Sequence, residues 1–450
     1  TAKISDAVFH ALTDRRGCII LQNCYNLKLF AKGYQDEKNE GTKGEKMFKA
    51  EKRVVEFIEK HVTVLFCLAV LVTGCLLRIV GFHYLSDDMR LYLLKWYGRI
   101  AEEGISQQIG NYNIPYQIII WILTKFPLNP IHAYKVVSCA FDLGLAILCG
   151  GLTYWFARGR KEIKAVLAFA CVFCSPIVLL NSAVWGQCDS IYTFFGILAF
   201  VLLYKEKYAL SMIAFGAAFA FKLQAVFFLP FFLICYLCRK KFSIVQFLIV
   251  PATAVFLSLP GLLAGRNVME LIDIYKKQTN TYNRVYVNFP NIYTLITTEK
   301  GHGDYEMFRK AAILLTILML GIGVYICVKK GAELWNFKIF FAVAMWTLYT
   351  CSFFLPNMHE RYAYVLEVMA IFYAFLEPAG IVLAIGTNLL SIFTYGNYLF
   401  EYRAISLPIS SLISLILYSG FTYWLFARQM KGGAGAREAA NENGLKKAGS

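Results

Sequence analysis

The side chains able to do chemistry sit in four short polar islands set between long apolar runs. They are Ser86-Asp87-Asp88, Trp185-Gly186-Gln187-Cys188-Asp189-Ser190, Lys222-Leu223-Gln224 and Asn357-Met358-His359-Glu360-Arg361. Asp87 and Asp88 are carboxylates of the kind that takes a proton from an attacking hydroxyl. Equally, they could be a solvated loop pair, or bind a hard cation; no second dense carboxylate cluster supports the cation reading. Trp185 offers a flat face of the sort that stacks on a sugar ring, and Gln187 and Asp189 offer acceptors. Lys222 and Gln224 could hold a phosphate at an otherwise apolar wall, or Lys222 could reach for the interface. Arg361 can grip phosphate with two parallel hydrogen bonds, while His359 can donate to a leaving phosphate. The structural alternative there is a Glu360–Arg361 pair.

These islands need a membrane bundle to position them. Of 450 residues, 58% are hydrophobic and only 16% charged, against roughly 45–50% and about 25% in soluble domains. Runs near the ~20 residues a bilayer requires fall at 62–82, 133–157, 164–183, 190–204, 208–222, 223–238, 243–264, 309–328, 335–355, 362–376, 379–396 and 407–427. The expected fold is therefore all-α and polytopic, with about twelve transmembrane helices. Several runs are short, as is tolerated where backbone lines a cavity rather than lipid. The expected division is a cytosolic N-terminal tail at 1–60, the membrane domain at 61–428 and a disordered cytosolic tail at 429–450. A short amphipathic helix is expected just before the first span.

The net charge of +16 reads as topogenic rather than as a nucleic-acid surface. Basic clusters at Arg158–Lys164, Lys205 with Lys207, Arg239–Lys241, Lys329 with Lys330, and Arg428 with Lys431 all fall on one side when spans are counted, the positive-inside pattern. All four polar islands then emerge on the opposite face. Two long segments, 83–130 and 265–308, lie on that face too. The first mixes Trp96, Tyr97, Tyr112, Tyr116 and Trp121 with charges, as interfacial helices do. Inside the spans, Lys135 and Asp142 are seven residues apart and share a helix face; intramembrane ions are functional or structural partners. Most of the thirteen cysteines lie in apolar runs and behave as small hydrophobes.

The order of motifs resembles the GT-C fold glycosyltransferases, most of all the bacterial relatives of the GPI-anchor second mannosyltransferase. The resemblance rests on Tyr84-Leu85-Ser86-Asp87-Asp88, Leu94-Lys95-Trp96-Tyr97, Tyr112-Asn113-Ile114-Pro115-Tyr116, Lys135, and Phe141-Asp142. It continues through Trp185-Gly186-Gln187, Asp189-Ser190-Ile191-Tyr192, Phe221-Lys222-Leu223-Gln224, Pro290-Asn291-Ile292-Tyr293 and Leu355-Pro356 to Tyr362. It covers roughly 60–428. It implies an inverting hexosyl- or mannosyltransferase in a bacterial cytoplasmic membrane, its site facing outside. The donor it implies is a polyprenyl- or dolichyl-phosphate sugar and the acceptor a glycan or glycolipid of glycan biosynthesis; neither metal nor other cofactor is expected. The spacing to Trp96 matches Asp88, rather than Asp87, to the family's base. Lys222, Gln224, Arg284, His359 and Arg361 would meet the donor phosphate. Trp185, Gln187, Asp189, Asn291 and Glu360 would meet sugar or acceptor. The chain departs from the family pattern at Lys95 and Cys188.

A transporter or flippase of lipid-linked glycans is the alternative, since about twelve spans with polar residues suit that class as well. No internal repeat is evident, and the polar residues gather at one mouth rather than at mid-bilayer.

Overall fold

A computed structural model describes residues 49–279, 284–297, 305–332 and 334–431. The chain divides into two compact units, residues 1–66 and 67–450. The described part of the first unit is helical throughout; every side chain discussed below belongs to the second. The expected C-terminal tail beyond Lys431 and most of the expected N-terminal tail lie outside the described residues.

The described residues form sixteen α-helices and no strand. Helix α1 runs Lys49–Phe82, so the segment expected as a separate amphipathic helix is continuous with the first span. Helices α2 (Leu94–Glu103) and α3 (Ile114–Leu123) follow, the pair expected in the 83–130 segment. Next come α4 (Pro130–Phe156), α5 (Lys161–Phe173), α6 (Pro176–Leu179), α7 (Asp189–Tyr204), α8 (Tyr208–Phe221) and α9 (Leu229–Arg239). The remainder are α10 (Ile249–Leu263), α11 (Glu270–Thr279), α12 (Tyr305–Lys329), α13 (Phe337–Phe354), α14 (Tyr364–Tyr373), α15 (Pro378–Phe400) and α16 (Leu407–Tyr423).

Among the described residues seven helices are long and apolar enough to cross a membrane, or eight if the pair at 161–173 and 176–185, bent by 40°, is one span. Four of the expected spans appear as the shorter apolar helices Asp189–Tyr204, Tyr208–Phe221, Leu223–Arg239 and Tyr364–Tyr373. Helix α13 is enclosed by the rest of the bundle, with 94% of its apolar window buried. That placement explains why it is apolar on all faces.

Local signals set the helix starts. Asn129 precedes Pro130 and accepts from the Ile131 amide at 2.9 Å. Asn336 does the same for Lys338 at 3.0 Å. Each satisfies an amide that the first turn leaves without a partner.

Two wide π-turns flank the polar islands. Met89–Leu93 follows Asp88 directly, and Leu180–Trp185 leads into Gly186. Gly186 has φ +81°, and a Cβ there would lie 2.5 Å from the Met89 methyl. Glycine is favoured by the left-handed backbone, and the Met89 side chain packs into the space a Cβ would take.

Two buried charges near the site are satisfied across helices. Arg78 of α1 donates through Nη2 at 2.8 Å and Nε at 3.2 Å to Asp142 Oδ2 on α4. Ser182 donates to the same oxygen at 2.5 Å, and Ser190 donates to Oδ1. The remaining guanidinium protons reach the Gly74 and Phe173 carbonyls at 3.1 and 3.0 Å. Asp142 thus pairs with a neighbouring helix rather than with Lys135 on its own. Lys135 is fully buried and donates to three carbonyls around the end of α1: Gly81 at 3.0 Å, Phe82 at 3.3 Å and Tyr84 at 2.6 Å. Both residues tie α1 and the 180–190 turn to the bundle and so fix the frame of the site.

Candidate active site

Asp88 sits between the end of α1 and the first π-turn, half-buried. Its Oδ2 accepts from the Trp185 indole at 2.9 Å and the Gln187 amide at 2.8 Å. Its Oδ1 accepts from the Tyr398 phenol at 2.9 Å. An ionised carboxylate offers about four acceptor positions. Three are taken, and the one left on Oδ1 has a fixed direction. Gln187 is oriented in turn, because its Oε1 accepts from the Tyr112 phenol at 3.2 Å. Burial pushes that phenol well above its ordinary value, so Tyr112 stays a donor. Asp87, by contrast, is exposed and paired with exposed Arg90 at 2.8 Å. The two acids that sequence left side by side are thus separated by environment.

A second carboxylate organises the cations. Asp189, at the start of α7 and wholly buried, is ion-paired through Oδ1 with Lys222. Its Oδ2 lies 3.6 Å from Arg361 Nη1 and accepts from Asn181 at 3.0 Å. Lys222 follows the last turn of α8 in extended backbone, with φ −154° and ψ 134°, which ends the helix and aims its side chain across to α7. Two cations share one carboxylate, leaving a net positive centre. The Nε of Arg361 is buried with no acceptor among the described residues. Its guanidinium lies 5.6 Å over the Trp185 ring, which joins the cation centre to the Asp88 centre.

The structure brings together Asp88, Trp185, Gln187, Asp189, Lys222 and Arg361. His359 Nδ1 stands 3.9 Å from Glu360 Oε2, and Glu360 is 1% exposed with neither oxygen receiving a hydrogen bond among the described residues. Trp185 joins the site through its indole N–H and its contact with Arg361, not through an open face, and Asn291 and Arg284 have other surroundings. The Trp185 ring is stacked on Tyr398 at 4.5 Å and only 1% exposed, so its face is covered rather than open to a sugar. Asn291 is buried and caps a 3₁₀ turn through the Tyr293 amide at 3.2 Å. Arg284 is exposed, and its backbone amide donates to Asn357 Oδ1 at 3.2 Å. Gln224 is half-buried in the 3₁₀ turn Leu223–Phe228 beside Lys222.

Three contributors escaped the sequence. Tyr398 lies at the end of an apolar run and reads as an interfacial aromatic; only its helical spacing from Tyr395 marked it. Asn181 was absorbed into a span. Arg78 carried the clearest signal, a cation inside hydrocarbon-length apolar sequence, which the rule on intramembrane charge flags.

An all-helical membrane bundle with an oriented acid beside a buried cation pair is the architecture of a membrane group-transfer enzyme. Residues 111–352, more than half of the chain, match the model of glycosyltransferase family 87, and the protein belongs to that family. It is thus an integral membrane glycosyltransferase of the GT-C type. The matched range holds Lys135, Asp142, Trp185, Gln187, Asp189, Lys222 and Asn291. Asp88, His359, Glu360, Arg361 and Tyr398 lie outside it. A comparison with curated proteins finds no match.

Proposed function

We propose that the protein transfers a hexose, mannose first among the candidates, from a polyprenyl-phosphate donor to a lipid-linked glycan or other cell-envelope acceptor, with inversion at the anomeric carbon. The observation that carries this reading is the three-donor clamp on Asp88. It leaves one acceptor position on Oδ1, enough to receive a single proton. The acceptor oxygen attacks the anomeric carbon as its proton passes to Asp88. The bond from that carbon to the phosphate oxygen breaks, and its electron pair leaves with the polyprenyl phosphate. Lys222 and Arg361, held by Asp189, stand ready for that growing negative charge. The buried Arg361 Nε, without an acceptor, supports the same assignment. Cationic side chains take the charge, so the reading calls for no metal. The bundle belongs, on this reading, in a bacterial cytoplasmic membrane with the site facing outward.

The test is incubation of membranes containing the protein with labelled polyprenyl-phosphate mannose, glucose and galactose, followed by identification of the labelled product and its anomer. Transfer from one of them, lost in Asp88→Asn, is expected. Transfer from a nucleotide sugar alone, or a product of retained configuration, overturns the reading.

A further inference from the structure

Among the described residues, Glu360 is the buried carboxylate with neither oxygen accounted for. It is 1% exposed, and neither carboxylate oxygen receives a hydrogen bond among the described residues. Among the described residues its ionic neighbour is His359, at 3.9 Å. Buried carboxylates ordinarily receive several donors, and one that receives none needs an explanation. Its position supplies one. Arg361, the next residue, reaches Asp189 and overlies Trp185. The orphaned carboxylate is thus carried by the same buried turn that delivers Arg361 to the cation centre.

A carboxylate can only accept. A ligand that satisfies it must bring donors, and one that also meets Arg361 must carry an anion close to those donors. A sugar joined to phosphate through its anomeric oxygen has that arrangement, with ring hydroxyls a few bonds from the charge. We infer that Glu360 is a specificity-determining residue that accepts hydrogen bonds from ring hydroxyls of the transferred sugar. This inference rests on the donor class proposed above. It also explains why the carboxylate tolerates burial: the missing donors arrive with the substrate. A site built to receive a hydroxyl rejects an analogue lacking it, because the buried acceptor is then stranded.

The experiment is donor titration of the purified protein with polyprenyl-phosphate mannose and each of its monodeoxy analogues, repeated with Glu360→Gln and Glu360→Asp. In the wild type, one or two deoxy analogues should bind roughly ten- to a hundredfold more weakly than the parent, as loss of a hydrogen bond to a charge requires. In the variants the parent should weaken and the same deoxy penalties should shrink to about threefold or less, because the hydroxyl no longer has its full partner. Penalties of equal size in wild type and variants overturn the inference. So does a wild type indifferent to every deoxygenation, a result that needs no folded variant. If polyprenyl-phosphate mannose, glucose and galactose all fail to bind the wild type, the donor class fails instead, and the two failures are told apart.

Discussion

The Tyr398 phenol donates to Asp88 at 2.9 Å across 310 positions of sequence. It leaves the acid one free acceptor position and presses its ring on Trp185, the acid's second partner. Tyr398→Phe keeps the stacking and removes only the hydrogen bond. Loss of one bond to a charged group costs about 1.5 kcal/mol, or roughly tenfold in kcat. Donor affinity should stay close to wild type. A kcat unchanged within twofold would show that the phenol does not position the acid.

Asp88→Asn should lower transfer at least ~100-fold, the loss expected for a general base, while the protein still inserts and binds donor. Asp87→Asn should retain most activity, because Asp87 is exposed and pairs with a surface Arg90. Single-turnover rates of the two variants decide it. The reverse pattern would exchange their roles, and two active variants would remove the base from this loop.

Lys222→Ala and Arg361→Ala should each weaken donor binding by about 1.5–3 kcal/mol, the worth of a hydrogen bond to a charged group. Arg361→Lys should restore only part, since the guanidinium also spans Asp189 and the Trp185 face. Asp189→Asn should weaken donor binding as well, although it makes the centre more positive, because both cations lose the anchor that aims them. Tighter donor binding in Asp189→Asn would mean that net charge, not placement, governs the anion.

The Arg78–Asp142 pair should be structural. Removing one partner strands the other in a buried setting, a loss of about 3–5 kcal/mol. Asp142→Ala should therefore lower the unfolding temperature in detergent sharply. The paired change Arg78→Met with Asp142→Leu should recover much of it. Equal stabilities for the single and double variants would show that the two charges are not coupled.

Much of this was legible in the sequence, for physical reasons that can be named. Apolar run length located the helices, because a chain in lipid must satisfy its backbone internally. The cost of buried charge pointed to Asp88, Asp142, Asp189, Lys222 and Arg361. Run length could not give the partners, which depend on packing across the bundle. Lys135 and Asp142 share a face of α4, yet one reaches the end of α1 and the other an arginine inside it. Trp185 offered an aromatic face, but nothing local revealed that Tyr398 covers it. Asp87 and Asp88 differ only in which way the first π-turn carries them.

Topology can be checked directly. Glu102→Cys, in the exposed part of α2, and Lys161→Cys, at the exposed start of α5, should label from opposite sides of the membrane on a cysteine-free background, with 161 cytosolic. The basic cluster around Lys161 motivates this. Labelling from the same side would place the base and the basic loops together and remove the outward-facing site.

Lys135 has a consequence for how the protein is made. The ribosome delivers α1 first, and the carbonyls of Gly81, Phe82 and Tyr84 then stand without their final donor. Helix α4 arrives some fifty residues later with an ammonium in its second turn that hydrocarbon disfavours. In the folded protein those three carbonyls receive it. Each helix end removes the other's obstacle to entry, so biosynthesis favours lateral release of α1 and α4 as a partnered unit. Substituting Lys135 by Met would ease the entry of α4 alone and leave the exit of α1 unclasped. Its damage should then show in the yield of inserted chain before it shows in turnover.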